Sequence, residues 1–100
     1  MAAYWLSFRL DANQTYTERY DALYAAINNC SSSWWVESSS FIVFESDDSI
    51  DTIATKVKRA IAPGVDLVII GMPDFKTARL IGNVEHQDII SQLMPFIKKV

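Results

Sequence analysis

Asp47 and Asp48 are adjacent carboxylates, the residue type that supplies hard oxygen ligands to a divalent cation. They also stand just before a run with helical spacing. There one acid serves as an N-cap and the other is favoured by the helix dipole, which is the expected role. Glu37 and Glu45 flank aromatic and β-branched runs and read as solvent-facing edge charges. His86, the single histidine, has Glu85 and Asp88 close in sequence. A His–carboxylate site would need partners from elsewhere in the fold, so a surface position is expected. Cys30 has no neighbouring base to make its thiol a nucleophile.

The cations form one cluster. In KVKR, residues 56–59, Lys56 and Arg59 lie one helical turn apart. With Lys76 and Arg79 they could make a strip that binds phosphates; the plainer alternative is a solvated helix face. Trp5, Trp34 and Trp35 suit a core or dimer contact, or a platform on which bases stack. A Gly-rich phosphate loop, Cys/His zinc spacing and Gly-x-Ser-x-Gly are all missing from the sequence.

The bulk numbers bound these options. The 100 residues are 50% hydrophobic and 21% charged, as expected of one globular domain. Nine Lys and Arg against 12 Asp and Glu give a net charge of −3. That argues against a dedicated, tight binder of phosphate backbones, while leaving room for a local basic patch. One cysteine excludes an internal disulfide and fits a reducing cytosol. The opening MAAYWLSFRLD lacks the basic-then-apolar plan of a signal peptide, and no run approaches a bilayer span. A cytoplasmic protein without membrane contact is expected.

These side chains are positioned by a readable series of elements. Residues 3–10, AYWLSFRL, alternate as a strand, with Tyr4, Leu6, Phe8 and Leu10 on one face. TYTE, 15–18, fits a capping box opening a helix that carries Tyr16, Tyr20, Leu23, Tyr24 and Ile27 to about Asn29. WWVE and FIVFES, around the serines at 38–40, predict a hairpin. Asp48 or Ser49 caps a second helix with the stripe Ile50, Ile53, Val57, Ala60 and Ile61, ended by APG at 62–64. VDLVIIGM, 65–72, is a strand apolar on both faces. DFKTARLIGN is either a loop or a short fifth strand. Ile89, Ile90, Leu93, Met94 and Ile97 have helical spacing that Pro95 would kink or end.

The order β-α-β-β-α-β predicts an α+β, ferredoxin-like domain: an antiparallel sheet with two helices on one face. The core would span 3–72, with 73–100 a C-terminal helical tail. The other sheet face would be left open, with Trp5, Val68 and Ile70 forming a homodimer interface there.

In order along the chain, YWLSF, YTERYDALYAAI, SWW, ESSSFIVFES, IDTIATKVKRAI and VDLVIIGM resemble a small family described as SinR-like. That family is similar to the CRISPR-associated Cas-two adaptation nucleases, and the GhoS antitoxin endoribonuclease has a similar fold. The resemblance covers roughly residues 4–72. It includes Tyr20, Leu23, Tyr24 and Ile27 on the first helix, Ser33-Trp34-Trp35, Glu37 to Phe41, and Asp66 at the last strand. Members tend to end the first strand Tyr-Asp-Leu; here the positions hold Phe8-Arg9-Leu10. In the Cas-two nucleases that aspartate resembles a magnesium ligand near the dimer axis. Arginine repels a cation but can hold a phosphate through two hydrogen bonds. The resemblance therefore implies a dimeric scaffold associated with DNA or RNA, without a cofactor, with Arg9, Lys56, Arg59, Lys76 and Arg79 as contacts. The alternative is an Mg²⁺-dependent endonuclease in which Asp11, two residues on and on the same face, replaces the missing acid as metal ligand and catalytic residue. A third reading is an antitoxin-like module that binds a protein partner.

Overall fold

A computed structural model describes residues 2–74 and 76–100. Phe75, within the segment read as loop or fifth strand, lies outside the described residues. The elements are β1 (Ala2–Arg9), α1 (Tyr16–Cys30), β2 (Ser33–Ser38), β3 (Phe41–Ser46), α2 (Ile50–Ala60), β4 (Leu67–Gly71), β5 (Ala78–Gly82), α3 (Gln87–Leu93) and β6 (Ile97–Lys99). The protein is α+β, with an open, mixed six-stranded sheet in the order β2-β3-β1-β4-β5-β6. Every pairing is antiparallel except β5 with β6.

The strand alternation sets the core. Tyr4, Leu6 and Phe8 of β1 share a face with Ile42 and Phe44 of β3 and with Val68 and Ile70 of β4. All are buried beneath Leu23 and Ile27 of α1 and Ile53 and Val57 of α2. α2 starts as its sequence suggests: Ser49 is the N-cap, and its Oγ accepts from the Thr52 N–H at 3.2 Å. Asp51 in the first turn and Lys58 and Arg59 in the last complement the helix dipole.

α1 departs from its expected start. Thr15 is the N-cap but makes no side-chain cap bond, so the capping box with Glu18 does not form. Asn13 substitutes: its Oδ1 accepts from the Thr15 N–H and hydroxyl, both at 3.0 Å, in an Asx-type turn.

Residues 73–100 are only partly helical. They contribute β5, the seven-residue α3 and β6, so the sheet grows to six strands where four were expected. Pro95 ends the helical spacing early, and Ile97 turns into β6 beside Ala78. By the general right-handed rule, a crossover between parallel β5 and β6 is expected to run over the face opposite α1 and α2. The burial of Ala78, Leu80 and Met94 fits that placement, because Ala78 and Leu80 point away from Arg79, which reaches α2.

Candidate functional site: the uncovered half of the sheet

Among the described residues, the side chains on the outer face of β2, β3, β1 and β4 are half-buried or exposed, Gly71 apart, rather than buried. Register places Trp35, Val43, Trp5 and Gly71 in one row across that face. Phe41, Ser7 and Ile69 form the next row, and Arg9 with Leu67 a third. Phe41, Val43, Trp5, Leu67 and Ile69 are half-buried, and Trp35 is 43% exposed. Ala3, Ser33, Trp35, Val43 and Glu45 contribute to a shallow groove of about 410 Å³ at the β2 end.

Gly71 explains how the central indole sits. A Cβ at this position would lie 2.3–2.9 Å from three atoms of the Trp5 ring system. Glycine therefore lets the indole settle across β4, with Trp5 still half-exposed. Such a ring offers a π-face for stacking.

The rim is fixed by a buried charge pair absent from the sequence expectations. Arg19 lies on the stripe with Leu23 and Ile27, and its Nη1 donates to the Asp66 carboxylate, which is fully buried. The Asp11 and Ala62 N–H groups also donate to Asp66, each at 2.8 Å. Burial alone pushes the Asp66 carboxyl up, but these donors outweigh it and hold it below the ordinary range. Arg19 spends its other donors on the connection between β1 and α1: Thr15 Oγ1 at 3.0 Å, the Asp11 carbonyl at 2.7 Å and Asn13 Oδ1 at 2.6 Å. Gly82, at φ 104°, passes so close to the Asp66 carbonyl that a side chain would collide with it.

This anchor decides where Asp11 and Arg9 end up. Asp11 is held through both main-chain groups, and its carboxylate accepts from Asn13 Nδ2 at 3.2 Å. Arg9 stays exposed on the uncovered face, tethered to the Asn83 carbonyl at 3.3 Å. Asp66, the acid opening the last strand of the resemblance, is structural.

The remaining candidates are dispersed. Arg79 is 9% exposed and its Nε donates to Asp51 at 2.6 Å, so it leaves the expected phosphate strip. Lys56 pairs with Asp48 at 2.7 Å. Arg59 and Lys76 are exposed, the first on α2 and the second in the connection between β4 and β5. Val68 and Ile70, expected at an open-face interface, are buried on the opposite, helix-covered face; Trp5 alone of that set lies on the open one. The odd residues of β4, Leu67 and Ile69, take the places expected for Val68 and Ile70.

Among the acids, Glu37 accepts from the Trp35 indole N–H at 2.6 Å, and Glu45 is exposed. His86 is exposed, 3.9 Å from Glu85. Burial pushes the Cys30 thiol up, away from thiolate chemistry. Among the described residues, no three His, Cys, Asp or Glu side chains gather as a metal set. No helix there is long and apolar enough to cross a membrane. Compared with protein-family models, curated proteins and solved structures, the chain matches none.

Proposed function

We propose that the chain is a non-catalytic, ferredoxin-like binding module whose uncovered sheet face takes single-stranded nucleic acid. The observation that carries this is the Trp5 indole spread over Gly71, in a row with Trp35 and on the same face of β1 as Arg9, two rows away. Unpaired bases stack on aromatic faces presented by a sheet, and a nearby guanidinium holds the phosphate. The β2-β3-β1-β4 order beneath α1 and α2 supports the ferredoxin-like reading and the resemblance to the Cas-two group. A net charge of −3 makes the expected affinity modest and salt-sensitive.

The test is a fluorescence titration of labelled single-stranded RNA and DNA at low and moderate salt. Binding that weakens with salt is expected. Trp5→Ala should weaken it roughly tenfold, since stacking contributes ~1–3 kcal/mol per base. Arg9→Ala should lower the salt slope by about one. No binding at low salt, or binding indifferent to both substitutions, overturns the reading. The same oligonucleotides with Mg²⁺ or Mn²⁺ test the rival endonuclease: cleavage lost only in Asp11→Ala would replace the binding proposal.

A further inference from the structure

The two edges of the sheet are built differently. β6 is three residues long and carries Lys98 and Lys99, the kind of charge that discourages strand addition. β2 is six residues long and free of Lys, Arg and Pro. Its residues Trp34, Trp35 and Val36 are 38%, 43% and 37% exposed. An edge strand presents a row of main-chain donors and acceptors, and nothing in the described chain covers this one on its outer side. The pairing of β2 with β3 is regular through Ser33, Trp34 and Trp35 and slips by one residue before Ser38.

We infer that β2 pairs with β2 of a second copy of this chain, antiparallel about a two-fold axis at Trp34. Three features select this occupant and register. First, centring on Trp34 keeps the new ladder on the regular stretch and puts the irregular segment at its end. Second, it sets each Trp35 beside the partner's Ser33 on the uncovered face, a large side chain against a small one. Ser33 and Trp35 line the same groove, so the indole lies over the partner's groove beside Ala3 and Glu45. Third, the one charged residue of β2, Glu37, never faces its own copy, as it would with the axis at Glu37. On the helix side the two Trp34 rings meet, each already edge-on to a Tyr24 at 6.1 Å.

A two-fold axis perpendicular to the sheet makes one twelve-stranded sheet and brings the two uncovered halves side by side. The two α3 helices, with Ile89 and Leu93 exposed, then stand at the far sides. A closed, isologous pair is the commonest form of assembly. This inference does not depend on what the face binds.

Light scattering on the purified chain tests it, beside Trp34→Lys, Trp35→Lys and Phe41→Lys, each checked by circular dichroism. Wild type should show twice the chain mass. The two edge substitutions should give monomers, and Phe41→Lys, on the open face, should remain a dimer. Hydrogen–deuterium exchange on wild type covers the case of misfolded variants: amides in 33–36 should be protected when concentrated and lose protection on dilution. A monomeric wild type, a dimer lost only with Phe41→Lys, or amides at 33–36 that ignore concentration overturns the inference.

Discussion

The protein inverts the usual distribution of polarity in two places. At the junction of α1 with β4 it buries an ion pair; on the outer face of β2, β3 and β1 it exposes aromatic surface. A buried charge and an exposed apolar patch are the informative exceptions to the hydrophobic-inside rule. They differ in how they are satisfied. Asp66 takes three donors and Arg19 four acceptors, all from within the chain. Trp5, Trp35 and Phe41 stay half-buried or exposed, whereas Leu80 on β5 is buried. The first inversion is satisfied within the chain; the second, among the described residues, is left facing solvent.

Substitutions separate the two regions most clearly by stability. Arg19→Met leaves Asp66 buried and uncompensated and should destabilise the fold by about 3–5 kcal/mol in urea unfolding. Adding Asp66→Leu should restore much of that, because the orphaned charge is removed. A double variant as unstable as the single one would mean that the Arg19 bonds to residues 11–15 dominate.

Leu80→Ala, at a buried position of β5, should cost about 2–5 kcal/mol, whereas Phe41→Ala on the open half should cost less than about 1.5 kcal/mol. Equal losses would dissolve the distinction between covered and uncovered halves.

Acid sharpens the comparison further. The Asp66 carboxyl is held below its ordinary value of 3.8. Its folded value is therefore below its unfolded one, so its contribution is present above about pH 4 and lost as pH falls through the folded value. The unfolding midpoint of wild type should fall with acid more steeply than that of Asp66→Asn. The smallest effect is expected at Asp11→Ala, within about 0.5 kcal/mol, because the main-chain bonds of Asp11 survive the substitution.

The periodic elements were legible in the sequence because each binds its own pattern to one face. Leu23 and Ile27, the stripe from Ile50 to Val57, and the alternation from Tyr4 to Leu10 all took the positions their spacing required. The tail was less legible. Ile97 continues the helical spacing of Ile89 and Leu93, but Pro95 interrupts it and the edge of β5, distant in sequence, draws Ile97 into a strand. A strand apolar on both sides does not announce its register, and only the pairing with β1 puts Val68 and Ile70 on the helix-covered face. The Arg19–Asp66 pair had one visible signal, an arginine at 19 on the stripe with 23 and 27. The exposed face was foreseen from the element order, but its residues depend on the pairing of β1 with β4.

That pairing also governs the order in which the molecule can be made. β1 is synthesised before both strands that flank it in the sheet: its neighbour β4 ends at Gly71, and the Asp11 amide just after β1 waits for Asp66. Contacts this distant in sequence close slowly. During translation β1 therefore has at most one strand partner until residues 67–71 have been made. β6, residues 97–99, later closes the far margin of the sheet with Lys98 and Lys99.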